Sequence, residues 1–170
     1  MAGKANKRSA LHKVGFPPLV HPDSRLLILG SMPGERSLAE QQYYAHPRNL
    51  FWTMIAARAG LSSAPDDYEA RKALLQQLHI ALWDVCDACI REGSLDTAIL
   101  EEIPNRIDQL LELHPGIRTV AFNGQKAAAL FRRYFKLKDG IRYITLPSTS
   151  PANAGVSLDR KKGQWMQLLT

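Results

Sequence analysis

The sequence is poor in cysteine. Cys86 and Cys89 are the only two, and they form a lone C-x-x-C. A structural zinc or iron–sulfur site takes four ligands, and no second cysteine pair or suitably spaced histidine pair supplies the others. The expected state is therefore two reduced thiols near a strand end, with no metal and no cofactor. A thioredoxin-type role lacks its usual sequence context. Long hydrophobic runs are missing as well. No apolar stretch approaches the roughly 20 residues of a membrane span, and the basic opening MAGKANKRSALHK has no apolar segment of the signal-peptide kind. A phosphate-binding G-x-x-x-x-G-K, a dinucleotide fingerprint and a nucleophile elbow are absent, which removes the enzyme classes built on them. Acidic residues are the scarcer charge: 16 against 22 Lys and Arg, a formal net charge of +6. Such a surplus suits a polyanionic partner, because Lys and Arg neutralise phosphates and release counterions.

The 170 residues fit one domain, and a hydrophobic content of 45% lets that domain bury a core without staples. Residues 1–15 read as a basic, flexible arm, and residues 16–170 as the folded unit. Phe16-Pro17-Pro18-Leu19-Val20 is too rich in proline for a helix or a central strand. Four apolar runs read as strands: Arg25–Leu29, Ile80–Val85, Thr119–Asn123 and Arg142–Leu146. Helices are expected between them. One starts near Asn49 and stops at Gly60. A second is capped by Asp66 or Asp67 and runs to about Leu78. A third starts near Pro104 or Asn105 and runs to Leu113, a fourth spans Gln125–Phe135, and a last one spans roughly Ser157–Leu169. Residues 35–42 and 91–98 read as loops. Strands alternating with helices predict an α/β sandwich on a mainly parallel sheet, with loops 30–49, 84–97, 123–126 and 147–155 gathered at one edge.

Those loops hold the chemistry-bearing residues. After the first strand comes Gly30-Ser31-Met32-Pro33-Gly34, then Tyr43-Tyr44 and His46-Pro47-Arg48-Asn49. An amide such as Asn49 can orient a water without titrating, and Asn is also a favoured helix cap; the two roles are compatible. One of the two tyrosines can stack on a nucleobase while the other packs under the loop. His46 reads as a loop staple, and Arg48 can meet phosphate. Asp84 ends a buried strand, where an acceptor can read an N–H on a base; Asp87 is a second choice. Asn123-Gly124-Gln125-Lys126 opens a helix, a natural phosphate position. Pro147-Ser148-Thr149-Ser150-Pro151 is a small, hydroxyl-rich loop able to follow a nucleic-acid backbone.

Taken together, the blocks GSMPGERSL (30–38), YYAHPRNLFW (43–52), ALWDVCD (81–87), FNGQKAA (122–128) and LPSTSPANA (146–154) resemble the uracil-DNA glycosylase superfamily, and most of all its hypoxanthine-DNA (deoxyinosine) branch. The likeness runs from Gly15-Phe16-Pro17-Pro18 to the last helix. It implies a three-layer α/β/α sandwich around a four-stranded, mainly parallel sheet. It also implies a monofunctional glycosylase that flips a deaminated base out of double-stranded DNA and leaves an abasic site. Mismatch glycosylases of the superfamily carry a catalytic Asn in G-x-N-P-G, where this chain has Met32; the hypoxanthine branch places that role on the Asn of H-P-R-N, here Asn49. The resemblance puts Tyr44 against the flipped base, and Asp84 where relatives use Asn to read it. A carboxylate there keeps an acceptor and loses a donor. Ser31, Met32 and Phe51 complete the implied base pocket. His46, Arg48, Asn123, Gly124, Lys126, Ser148, Thr149, Ser150 and Asn153 are the implied DNA contacts. Leu146 stands where strongly uracil-active relatives carry His, and the intercalating wedge of some relatives falls at Ser150 or its neighbours, which are small. Cytoplasm, in a bacterial cell beside the nucleoid, is the implied compartment, and a monomer the implied state. Three other readings remain open: a glycosylase of the same family that prefers uracil or mismatches, a nucleic-acid binding module of the same fold without catalysis, and a hydrolase of free nucleosides.

Overall fold

The computed structural model describes residues 11–169. Its centre is a parallel sheet of four strands, β2 (Leu26–Gly30), β3 (Ile80–Asp84), β6 (Thr119–Asn123) and β7 (Arg142–Leu146), in the order β3-β2-β6-β7. β2 lies inside, with Leu26 opposite Ile80 on one side and opposite Thr119 on the other. A strand covered on both faces has no solvated side, which is why LLIL, IALW and TVAF are continuous apolar runs rather than alternating ones. Successive side chains still point to opposite faces. Leu27 and Leu29 enter one core with Val120 and Phe122, whereas Ile28 enters a second with Leu82 and Ala121.

Helices close both cores. The first takes Ile107 and Leu110 of α4 (Ile107–Leu113) and Leu130 and Phe131 of α5 (Gln125–Tyr134). The second takes Phe51 and Ile55 of α2 (Phe51–Arg58), Leu75 of α3 (Tyr68–Gln77), and Trp165 of α6 (Leu158–Leu169). This is the expected α/β/α sandwich. Asp67 is the cap of α3, accepting from the Ala70 amide at 2.9 Å. Helix ends lie within about two residues of their expected places, the ordinary spread of helix boundaries.

Three departures have physical reasons. Residues 35–42 contain a short helix, α1 (Glu35–Glu40), whose only buried residue is Ser37; without an apolar stripe it has no periodic signature. A second sheet, three-stranded and antiparallel, joins β1 (His12–Val14), β4 (Cys86–Ile90) and β5 (Leu100–Pro104) in the order β1-β4-β5. Its outer strand points Leu100 and Ile103 at solvent, so its sequence lacks the alternation of a strand with one face on the core. The flexible arm expected over 1–15 does not hold at His12–Val14, which pair with Ala88–Ile90; residues 1–10 lie outside the described residues. Cys86 and Cys89 are free thiols buried under this sheet, and burial pushes the Cys86 thiol up to about 12. No helix among the described residues is long and apolar enough to cross a membrane.

Candidate active site

From β2 the chain crosses first to β3 on one side and later to β6 on the other. Loops leaving the carboxyl ends of β2 and β6 therefore diverge, and open α/β sheets hold ligands in the crevice this leaves. Here the crevice is a cleft of about 1000 Å³, walled by the loops after β2, β6 and β7, with Asp84 of β3 among its lining.

Asp84 and Tyr44 meet beside Gly30. A Cβ on Gly30 would stand 2.3 Å from Asp84 Oδ1 and 3.0 Å from Tyr44 Oη, so only glycine lets both groups approach the strand end. Asp84 is 3% exposed, and neither its Oδ2 nor Tyr44 Oη has a hydrogen-bond partner. Buried polar atoms are nearly always paired, so two orphans on one cleft wall mark a surface shaped for a ligand's polar edge. Burial raises the Asp84 carboxyl to about 7; the Asp96 carboxylate adds to the rise and the Arg91 guanidinium opposes it. Burial also holds the phenols of Tyr43 and Tyr44 far above their ordinary range.

The two tyrosines take different places. Tyr43 is in the core, donating to the Pro17 carbonyl and accepting on its own carbonyl from Trp52 Nε1. Tyr44, held at a positive φ of 53°, lines the cleft with its ring stacked on Phe51, centroids 4.2 Å apart. Phe51 itself is fully buried and does not line the cleft. Its place in the base pocket is thereby corrected: it is the plate behind Tyr44, because a helix start this apolar is claimed by the core.

Asn49 faces the cleft from the start of α2, and its Oδ1 accepts from the Phe51 amide at 3.0 Å. The cap fixes which end of the amide is oxygen, since only oxygen can accept there. Nδ2 is without a partner among the described residues, and Oδ1 keeps a second lone pair. His46 acts as the staple, its Nδ1 accepting from the Arg48 amide. Met32 is 6% exposed and packs in the apolar core while also lining the cleft, so the G-S-M-P-G block presents an apolar group at this position and no amide. Ser31 lines the cleft and donates to Asp96 Oδ1.

The last two loops brace the site. Asn123 Nδ2 donates to Thr149 Oγ1, and the Thr149 amide donates back to Asn123 Oδ1, both at 2.9 Å. The Thr149 carbonyl accepts from the Leu50 amide. Asn123 and Thr149 were expected to touch DNA; instead each spends its side chain on the other, and Thr149 is 1% exposed. Gly124 is at φ +103° with Ser148 Cβ 3.1 Å from where its own Cβ would be, so it is a close-packing point. Asn153 Nδ2 donates to the Ser148 carbonyl, Lys161 Nζ to the Asn153 carbonyl, and the buried Trp165 to the Pro147 carbonyl. Ser148, Ser150 and Lys126 line the cleft.

Some cleft residues are not among the site residues read from the sequence, although Ser94–Thr97 belong to the 84–97 loop expected at this edge. Arg36 and Arg160 join Arg48 and Lys126 on its lining, and Ser94, Leu95, Asp96 and Thr97 supply a further wall. Ser94–Thr97 are tied to the first loop by two hydrogen bonds between residues far apart in the sequence, Ser31 Oγ to Asp96 Oδ1 and the Glu35 amide to Ser94 Oγ. Arg91 is 1% exposed and donates to the Pro33 carbonyl, with Nε and Nη1 unpartnered. Among the described residues no cluster of three His, Cys, Asp or Glu could hold a metal.

The family model of the uracil DNA glycosylase superfamily matches residues 17–169. The chain belongs to that superfamily. A hypoxanthine DNA glycosylase of Methanosarcina acetivorans is 39% identical over 155 residues, covering 90% of this chain and 95% of that protein. A hypoxanthine DNA glycosylase of Methanosarcina barkeri is 36% identical over 159 residues, covering 92% and 98%. The solution NMR structure of a Methanosarcina acetivorans protein classed with uracil DNA glycosylases superposes with a TM-score of 0.78 at 36% identity, over 93% of this chain and 96% of that one. The superfamily match thus spans residues 17–169, which take in the four-stranded sheet, both of its helical layers and every loop that walls the cleft.

Proposed function

We propose that the chain is a monofunctional DNA glycosylase that hydrolyses the N-glycosidic bond of deoxyinosine, with deoxyuridine a possible second substrate, and leaves an abasic site. The observation that carries this reading is the orphaned pair Asp84 Oδ2 and Tyr44 Oη on the wall of a cleft that Asn49 also lines. A flat lactam base has a ring for Tyr44 and an adjacent N–H and C=O for a carboxyl group. The names borne by the two Methanosarcina relatives support the same substrate. The partner is double-stranded DNA. The enzyme acts as a monomer in the cytoplasm, without metal or cofactor.

The mechanism follows from the geometry. The nucleotide is extruded into the cleft, as enzymes acting on a single base require. Arg36, Arg48, Lys126 and Arg160 on the cleft lining face its phosphates. As the glycosidic bond stretches, the sugar takes on cationic character, which the DNA phosphates help to stabilise. A water donating to the free lone pair of Asn49 Oδ1 presents its own lone pair to the sugar. The leaving base gathers negative charge, which the buried Arg91 cation behind the Gly30–Gly34 loop favours, and it takes up the proton that the water sheds as the new C1′–O bond forms, so base and sugar both end neutral. No lysine is assigned as a nucleophile, so no strand break follows.

Single-turnover assays on duplexes carrying one deoxyinosine or one deoxyuridine test the proposal. Release of hypoxanthine with an intact strand is expected. Release of uracil alone would overturn the base assignment, and binding without release would leave a non-catalytic DNA-binding module. Gly30→Ala probes the pocket wall: its methyl displaces the Asp84 carboxyl by about 1 Å, and release should fall about a hundredfold, the scale of a group misplaced by that much. Unchanged release in that variant would remove Asp84 from base recognition.

A further inference from the structure

Extruding a nucleotide leaves a gap in the base stack, and proteins that distort DNA commonly push an apolar side chain into such a step. The loop that the superfamily resemblance assigns to this task is unsuited to it here. Ser148, Ser150 and Ala152 are small, Thr149 is buried, and Asn153 is tied to the Ser148 carbonyl. Pro147 and Pro151 are its larger apolar residues, and both are half-buried.

The wall opposite in sequence has what that loop lacks. Leu95 is 57% exposed and lines the cleft; no other exposed large hydrophobic among the described residues does so. It is held on both sides. Ser94 Oγ accepts from the Glu35 amide at 2.9 Å, and Asp96 Oδ1 accepts from Ser31 Oγ. Gly93, at φ +69°, turns the chain into this loop, and a short 3₁₀ turn at Asp96–Ala98 ends it. An aliphatic side chain left in water between two tethers is a placed feature, since a scattered surface leucine needs no such anchoring.

We propose that Leu95 is the wedge of this enzyme, entering the duplex beside the extruded nucleotide and filling the space the base vacates. The inference rests on the glycosylase reading. It explains how a chain with a polar, hydroxyl-rich last loop opens a stacked duplex.

The test compares Leu95→Ala and Leu95→Met with the unaltered chain. Each is assayed for hypoxanthine release from a deoxyinosine duplex and from the same strand unpaired, with 2-aminopurine beside the lesion to report unstacking. A single strand has no stack to hold open, so the wedge matters only in the duplex. The expected result is a loss of about tenfold in duplex release for Leu95→Ala, with single-strand release unchanged, the 2-aminopurine rise diminished, and recovery in Leu95→Met, as apolar wedging predicts. Equal losses on both substrates would overturn the proposal in favour of a role in positioning the cleft. So would an undiminished fluorescence rise, which decides the matter if the single strand is a poor substrate. A Pro151→Ala variant carrying the whole duplex-specific loss would move the wedge to the last loop. Absence of release from both substrates by the unaltered chain would overturn the glycosylase reading itself.

Discussion

Asn49→Ala is expected to lower single-turnover base release by roughly 30- to 1,000-fold, the ~2–4 kcal/mol typical of a preorganised polar group acting on the transition state. Duplex binding should survive, since the backbone contacts lie elsewhere on the cleft. Asn49 Oδ1 also accepts from the Phe51 amide one residue ahead of Leu50, the N-cap of α2, and losing such a capping bond costs about 1 kcal/mol of stability. The two roles can be separated. Asn49→Ser retains a cap oxygen but lacks the amide's reach and its donor, so it should match the unaltered chain in urea midpoint while releasing base as poorly as the alanine variant. Measuring both variants by single-turnover release and by urea unfolding decides the assignment. Near-normal release from either one would take catalysis away from Asn49 and leave it a cap.

How far the sequence could be read followed from how local each cause was. The strands of the main sheet were legible because each is buried on both faces and is therefore an apolar run. Asp67 was legible because a cap lies next to what it caps. The split between Tyr43 and Tyr44 was expected as a pair, though which ring faces the cleft depends on a positive φ at Tyr44 that the sequence does not display. The rest depends on distant partners. Asn123 and Thr149 carry groups suited to DNA and turn them on each other across 26 residues. Phe51 reads equally well as pocket or core, and the packing of Trp165 and Trp52 against it decides for the core. The wall formed by Ser94–Thr97 depends on β4 and β5, whose sheet buries too little of its outer strand to leave a pattern. Asp84 was read as an acceptor that had lost the amide's donor, because exposure, which sets a carboxyl group's protonation, is a property of the folded chain.

That last point gives the second large effect. With its carboxyl raised to about 7 by burial, then by the Asp96 charge, and held back only by Arg91, Asp84 is largely neutral below neutrality. A neutral carboxyl has both a donor and an acceptor, matching the adjacent C=O and N–H of a lactam base, whereas the ionised form has acceptors alone and opposes the carbonyl. The donor lost from the amide of relatives is thus restored by protonation. The pH dependence of kcat/KM reports the free enzyme, so base release should be highest below pH 7 and fall roughly a hundredfold by pH 9, as the neutral fraction falls. Asp84→Asn carries the donor at every pH; its profile should lose that descent and exceed the unaltered chain at pH 9. The sign for stability is the same. The folded chain holds this proton more tightly than the unfolded one, so the contribution is complete below the ordinary carboxyl range and is lost as pH rises through about 7. Asp84→Asn should therefore be the more stable protein at pH 8 by on the order of a few kcal/mol, and lose that advantage toward pH 4, as read from urea midpoints. A flat profile in the unaltered chain, or an asparagine variant inactive at every pH, would show that the base is not read through a protonated carboxyl. The observed combination would then require the donor to come from the other orphan on that wall, Tyr44 Oη, whose phenol stays protonated throughout the range.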